Sequence, residues 1–378
     1  MPTKTNDSHQ WLSTGDEIFP ALLAAIDAAR ESIGLEIYIF TPGPLGDSFR
    51  AALVRAGLRG VRVRVLLDAM GSVQLPADYW QPLLRAGGEV RQFNPVALKR
   101  LWIRDHRKLL VCDDRVAFVG GFNLSPEYEG DGVRRGWCDL GLKITGPLAG
   151  PLAASFTTMF DRADLQHQHF MRLRRNDIPK TAAGPKEQLL LSGPGRGPGP
   201  FQRVLQTDLA RAARVQIMAA YFLPPRPLRR ALLRVARRGG RVQLLLPGRS
   251  DVRLSQLATQ SLYRRFLRRE VEIHEYQPQI LHAKLIIVDD IVYVGSANLD
   301  PRSLHINYEL MLRLANPALA AEARQIFAAR LAHARRITAG EWRESQTLWR
   351  RLKQRWARFL LTKIDPWLAR RQWRALPK

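Results

Sequence analysis

Apolar and polar positions along the 378-residue chain fall into blocks of two alternating periods. Ile18, Leu22, Leu23 and Ile26 recur at helical spacing behind Asp16, which can cap a helix running to about Arg30. Ile33 to Phe40 then reads as a buried strand. Phe49 to Ala56 is a helix closed by Gly57, and Val61 to Leu67 is a strand with Asp68 at its end. A helix over Ala77 to Ala86 stops at Gly87-Gly88 before a strand at Val90 to Phe93. The second half repeats this order: helix Phe201 to Ala213, strand Val215 to Phe222, helix Leu228 to Arg238, strand Val242 to Leu246, helix Leu254 to Arg268 and strand Val271 to Tyr276. Strands alternating with helices of this length predict an α/β fold with mainly parallel or mixed sheets covered by helices on both faces.

Each half then changes to a tighter pattern. Leu109 to Cys112 and Val116 to Val119 flank Asp113-Asp114, and Leu285 to Val288 and Ile291 to Val294 flank Asp289-Asp290, so each half predicts a β-hairpin. His106-Arg107-Lys108 leads into the first hairpin and His282-Ala283-Lys284 into the second, a displacement of 282 − 106 = 176 residues. Residues two apart on a strand share a face, so each His projects with its Lys. A Gly-containing Asn loop follows each hairpin, Gly120-Gly121-Phe122-Asn123 and Gly295-Ser296-Ala297-Asn298. One accidental His-x-Lys-x4-Asp match is expected about 0.01 times at this composition. Two matches with matching sequels predict an internal duplication of one α/β unit, with one active site shared across a pseudo-twofold interface.

The doubled pattern resembles the HKD motif pair of the phospholipase D superfamily. Arg104-Asp-His-Arg-Lys-Leu-Leu-Val-Cys-Asp113, Phe118-Val-Gly-Gly-Phe-Asn123, Tyr221-Phe-Leu-Pro224 and Gly295-Ser-Ala-Asn-Leu-Asp-Pro-Arg-Ser303 narrow the likeness to its bacterial cardiolipin synthases, in the shorter branch without a pair of N-terminal membrane helices. The resemblance implies two tandem repeats, spanning 1–165 and 201–335. It implies transfer of a phosphatidyl group from one phosphatidylglycerol to the hydroxyl of another, and a place at the cytoplasmic face of a bacterial inner membrane. A phosphodiesterase or nuclease of the same superfamily is the competing expectation, and a noncatalytic membrane scaffold is a third.

The residues suit that chemistry. A phosphodiester repels nucleophiles, so its catalyst must neutralise charge while delivering an attacking group in line. Lys108 and Lys284 supply charge. His106 and His282 can divide nucleophilic attack and proton transfer between them, because imidazole titrates near neutrality. Asn123, Asn298, Ser296 and Gly121 are expected to face the nonbridging phosphate oxygens. Asp113 and Asp289 belong to the motif, but seven residues beyond each His they fall at the far end of the hairpin and read as turn carboxylates. In the resembled family an acid early in the next strand orients each histidine. The expectation is therefore Glu309 for His282 and Asp139 for His106, with Asp131 competing for the second role. No metal-ligand cluster is visible and no cofactor is called for.

Charge and composition bear on the partner. Net charge is +25, which favours an anionic lipid surface or nucleic acid. The lipid follows from the resemblance, and nucleic acid is not expected. No apolar run reaches the roughly 20 residues of a membrane-spanning helix, and Met1 to Gln10 lacks the apolar segment of a signal peptide. Cys112 and Cys138 show no metal spacing and read as buried thiols. Between the repeats, 166–200 forms a connection rich in Pro and Gly, either a plain linker or a border of the cleft. The tail, 336–378, holds five of the nine tryptophans, and from Glu341 onward it has 11 Lys or Arg against 3 acids. Trp342, Trp349 and Trp356 stand seven apart, which predicts one amphipathic helix over Gly340 to Thr362 that either lies in a membrane interface or packs on the domain.

Overall fold

A computed structural model describes residues 8–95, 103–163, 186–195 and 197–369. Residues 166–185 of the expected connection (166–200), the first seven residues, 96–102 and the end of the tail (370–378) lie outside the described residues. The first sheet holds β1 (Ser8–Leu12), β2 (Ser32–Ile37), β3 (Arg62–Asp68), β4 (Glu89–Phe93), β5 (Leu109–Cys112), β6 (Val116–Gly120) and β7 (Gly141–Thr145), in the order β1-β7-β6-β5-β2-β3-β4. The second holds β8 (Glu187–Ser192), β9 (Arg214–Ala219), β10 (Arg241–Pro247), β11 (Glu272–Tyr276), β12 (Lys284–Val288), β13 (Ile291–Gly295), β14 (Glu309–Ala315) and β15 (Ala334–Ile337), in the order β15-β11-β10-β9-β12-β13-β14-β8. Apart from β15 the two orders are the same, so the duplication extends to the strand order. Both sheets are mixed: β2-β3-β4 and β9-β10-β11 run parallel, while the hairpins and their outer neighbours run antiparallel.

The helices are α1 (Gly15–Ala28), α2 (Pro44–Leu58), α3 (Gln81–Arg85), α4 (Ala149–Asp161), α5 (Pro200–Leu209), α6 (Arg226–Arg237), α7 (Arg253–Gln260), α8 (Tyr263–Leu267), α9 (Pro301–His305), α10 (Pro317–Leu331), α11 (Ala339–Glu344) and α12 (Leu348–Phe359). The cap of α1 is Thr14, whose hydroxyl accepts from the Glu17 amide; Asp16 sits in the first turn. The single helix expected over Leu254 to Arg268 is two, and the one expected over Gly340 to Thr362 is broken between α11 and α12. Thr347 explains the second break, because its side chain accepts from the Arg350 amide and starts a new helix. Three edge strands, β1, β8 and β15, have no counterpart in the apolar pattern. β8 lies inside the expected connection and pairs with β14, so the second sheet begins at Glu187.

Apolar packing joins the repeats. Leu142, Ile144 and Phe156 of the first share a core cluster with Val294, Leu310 and Leu312 of the second, and Cys138 and Leu140 share another with Leu281, Leu285 and Phe327. Burial at this joint removes continuous apolar surface from water and so fixes the relative placement of the two hairpins. Cys112 and Cys138 are buried free thiols.

Candidate active site

Each histidine lies just before a hairpin strand, on a stretch that leaves its own sheet and runs beside the other repeat. Asp105 bridges in parallel to Tyr308, with the His106 amide donating to the Tyr308 carbonyl at 3.0 Å. Cys138 bridges to Leu281, and the His282 amide donates to the Cys138 carbonyl at 2.7 Å. The residue after Tyr308 is Glu309 and the residue after Cys138 is Asp139. Each crossing therefore hands a carboxylate to the histidine of the opposite repeat.

The pairs follow. His106 Nδ1 lies 3.0 Å from Glu309 Oε1, and His282 Nδ1 lies 2.6 Å from Asp139 Oδ2. This corrects the expected assignment, which kept each histidine with the acid of its own half. Backbone pairing across the pseudo-twofold, invisible to spacing along one chain, decides the matter. A carboxylate at Nδ1 fixes the ring and leaves Nε2 for chemistry.

The lysines sit beside the rings. Lys284 Nζ is 2.8 Å from His282 Nδ1 and 3.0 Å from Nε2 and also donates to the His282 carbonyl. Lys108 Nζ donates to the His106 carbonyl at 2.8 Å and faces the Tyr38 ring. Burial, then Lys284, pushes Lys108 down to about 7, and burial pushes Lys284 down to about 8 against Asp139 and Glu309. Burial, Lys108, Lys284 and His282 together hold the His106 imidazole well below its ordinary value. The groups of both repeats thus act on one another within a single buried site. An incoming phosphodiester would bring the negative charge that favours their protonated forms.

The carboxylates differ. Burial raises Glu309 to about 7, although Ser296 and the lysines oppose it. Burial also raises Asp139, but His282 and Lys284 reverse this and leave it below the ordinary carboxylate range.

Several residues expected at the phosphate have partners within the site itself. Ser296 Oγ donates to Glu309 Oε2 at 2.5 Å and accepts from the Leu310 amide. A Cβ on Gly121 would meet Asp139 Oδ1 at 2.2 Å, so glycine there leaves room for the carboxylate. Asn123 accepts from the Ile39 amide and donates to the Tyr128 hydroxyl at 2.7 Å. Asn298 is different: its carboxamide oxygen is buried with no hydrogen-bond partner. Asp113 and Asp289 sit at the hairpin turns, with φ of 55° and 50°. Their carboxylates accept from the amides of Arg30, Glu31 and Ser32 and from those of Ala213 and Arg214. These two cap strand entries far from the imidazoles. Asp131, the competitor of Asp139, closes its own loop by accepting from Val133 and Arg134.

Sequence reasoning missed the aromatic wall. The Tyr128 hydroxyl is 3.4 Å from both His282 ring nitrogens, Trp137 stacks at 5.4 Å, and Tyr38 lies 4.9 Å from the His106 ring. Tyr128 and Trp137 lie between β6 and β7, and the matching segment between β13 and β14 has Ser303 at the place of Tyr128 and no tryptophan, so repetition could not flag them.

Comparisons with known proteins bear on the family and the fold. A family model described as "Cardiolipin synthase, PLD-like domain" matches residues 22–162 and 206–331. Cardiolipin synthase A of Pseudomonas entomophila (strain L48) is 32% identical over 92% of this chain and 73% of its own. Cardiolipin synthase 1 of Bacillus cereus is 31% identical over 82% and 64% respectively. Among solved structures, a phosphatidylserine synthase from Haemophilus influenzae Rd KW20 superposes with a TM-score of 0.74 at 16% identity, over 96% of this chain and 94% of that one. A polyphosphate kinase from Porphyromonas gingivalis gives 0.59 at 15% identity over 89% and 49%. These two show a shared fold.

Proposed function

The chain belongs to the phospholipase D-like cardiolipin synthase family, an enzyme family of the phospholipase D superfamily, and from that premise we propose that it makes cardiolipin from two molecules of phosphatidylglycerol. One observation carries the reading: two imidazoles, each held at Nδ1 by a carboxylate of the opposite repeat and flanked by its own lysine, lie at the two crossings where the repeats meet. In the first step Nε2 of one histidine attacks phosphorus and the bond to the terminal glycerol oxygen breaks. The other imidazole, protonated, gives its proton to that oxygen, and glycerol leaves. In the second step the same imidazole takes the proton of a hydroxyl on the second phosphatidylglycerol. That oxygen displaces the phosphohistidine and returns the first ring unchanged. Lys108, Lys284 and the Nδ2 amide group of Asn298, not its carboxamide oxygen, are the donors we assign to the nonbridging oxygens.

The proposed place is peripheral, at the cytoplasmic face of the cell membrane; among the described residues no helix is long and apolar enough to cross a bilayer. The test is formation of cardiolipin from phosphatidylglycerol vesicles by the full chain and by His106→Ala and His282→Ala. Wild-type turnover with loss in both variants is expected, and unchanged synthesis in either removes the mechanism. The net charge of +25 also suits a nuclease, so cleavage of single-stranded DNA by the wild type, absent in the same variants and without lipid turnover, would replace the lipid by nucleic acid.

A further inference from the structure

A cavity of about 400 Å³ lies between α7–α8 and α11–α12, apart from the histidine site, and Arg264, Arg268, Arg343, Arg351, Arg355 and Arg358 line it. Among the described residues none of these six is paired with a carboxylate, whereas Arg241, Arg302 and Arg313 of the same half each hold one. Six cations around one space repel one another, and among the described residues no carboxylate pairs with any of them. The crowding reaches α6, where burial and then Arg265 and Arg358 hold Arg229 down at about 10.

The second observation is on α12 itself. Gln354 and Ala357 are buried where the helix meets α7. At 100° per residue Leu348, Trp349, Leu352, Trp356 and Phe359 fall together on the opposite side. All five are exposed, Trp349 to 73% and Trp356 to 57%. Trp342, expected on this stripe, instead is buried on Tyr263 at 4.7 Å, because it belongs to α11. Arg351, Arg355 and Arg358 form the row between the apolar side and the cavity. A row of cations beside exposed tryptophans is the arrangement that places aromatic rings among acyl chains and guanidiniums at phosphate depth.

We propose that α12 lies in the surface of an anionic bilayer and that the arginine-lined cavity beside it takes the phosphate of an anionic phospholipid, a noncatalytic headgroup site distinct from the His106/His282 centre. The proposal rests on the reading that the enzyme works on membrane phospholipid, but the binding it describes needs no turnover. A phosphate at this depth answers the unpaired guanidiniums through charge-assisted hydrogen bonds, and the tryptophans remove their apolar surface from water.

The test is co-sedimentation of the full chain with vesicles of phosphatidylcholine alone and of phosphatidylcholine mixed with phosphatidylglycerol. Arg351→Gln/Arg355→Gln/Arg358→Gln should weaken binding to the mixed vesicles on the order of a hundredfold, from about fivefold per cation near an anionic surface. Arg62→Gln/Arg85→Gln/Arg115→Gln, which removes the same charge from the first repeat, should weaken it far less. Trp349→Ser/Trp356→Ser should lower binding to both vesicle types. Equal loss from the two arginine triples would reduce the effect to net charge and overturn the site. Unchanged vesicle binding in the tryptophan variant, with a wild-type dimer that this variant dissociates in sedimentation, would give the apolar side to a second copy. Binding of single-stranded DNA that the α12 triple abolishes, with none to vesicles, would give the cavity to nucleic acid. His106→Ala/His282→Ala separates this proposal from the catalytic one: retained vesicle binding without transfer supports docking, and transfer by this variant refutes only the chemistry.

Discussion

His106 and His282 occupy matching points of two hairpins, but the beds beneath them are opposites. Under His106 lie charges: Arg107 reaches Glu36 at 3.0 Å, Arg104 reaches Asp68 at 3.2 Å, and Asp105 lies among them, all nearly inaccessible to water. Strand register identifies the second repeat's counterparts, which are Ala283 for Arg107, Met218 for Glu36, Ile280 for Arg104, Leu281 for Asp105 and Pro247 for Asp68. The same imidazole–lysine pair is thus presented once on a buried ion cluster and once on an apolar core. Presenting the pair does not require the charges. What both halves keep is the crossing that delivers a carboxylate from the other repeat.

The largest effect expected from breaking the first bed is on stability. Burial pushes Glu36 well up even beside Arg107, so the cluster is held near the limit of what pairing can offset. Arg107→Met leaves Glu36 and Asp105 buried without their cation and should cost about 3–5 kcal/mol in denaturant unfolding. Glu36→Met/Asp105→Leu/Arg107→Met, which gives the first repeat an apolar bed like the second, should return to within about 1 kcal/mol of the wild type. A triple variant as weak as the single one would show that the charges themselves hold the first hairpin.

A second contrast lies between the two carboxylates. Glu309 keeps its proton in the folded chain up to about 7, whereas in the unfolded chain it loses it near 4.5. Between those values the native state binds more protons than the unfolded one, so this group makes stability fall as pH rises, by about 3 kcal/mol in all. Glu309→Gln should remove that decline, seen as a flatter Tm between pH 4.5 and 7 than in the wild type. Asp139 has the opposite sign: its carboxyl is depressed, so its contribution is present at neutral pH and lost as pH falls through the depressed value. Asp139→Asn should leave the slope between 4.5 and 7 unchanged.

Activity separates the two carboxylates further. Asp139 is ionised at neutral pH and sits 2.6 Å from its ring, so Asp139→Asn removes a full charge from His282 and should lower kcat on the order of a hundredfold. Glu309 near pH 7 is already partly neutral, and Glu309→Gln should lower kcat about tenfold, with the deficit shrinking toward acid pH as the wild type protonates. Equal losses at every pH would mean that the two histidines are served alike.

The doubled hairpins, the succession of strands and helices along each half and the histidine–lysine pairs were legible because a buried strand writes its period into the sequence twice. The exchange of carboxylates was not. It depends on Arg104–His106 and Leu281–Ala283 each running beside the other repeat, a tertiary event that no spacing within one half encodes. β1 (Ser-His-Gln-Trp-Leu), β8 (Glu-Gln-Leu-Leu-Leu-Ser) and β15 (Ala-Arg-Arg-Ile) escaped notice because edge strands are short and carry polar or charged residues, which leaves no clean period-two pattern. The tail misled in a different way. Three tryptophans seven apart satisfy one helical face whether or not the helix continues, and only Thr347, a capping residue inside the run, marks where it restarts.

The smallest contrast is between the loop asparagines. Asn123 uses its oxygen on the Ile39 amide and its nitrogen on Tyr128, so Asn123→Ala leaves a half-buried amide and a buried hydroxyl short of partners and should cost about 1–3 kcal/mol. Asn298 has a buried carboxamide oxygen without a partner, so Asn298→Ala should change stability by less than about 1 kcal/mol. Its effect belongs in kinetics: loss of one hydrogen bond to a charged phosphoryl oxygen should lower kcat/KM about tenfold. Denaturant midpoints and steady-state rates on the two variants resolve the question together. If Asn298→Ala unfolds as easily as Asn123→Ala and turns over normally, both loops are scaffolding, and the donors to the phosphate are the lysines alone.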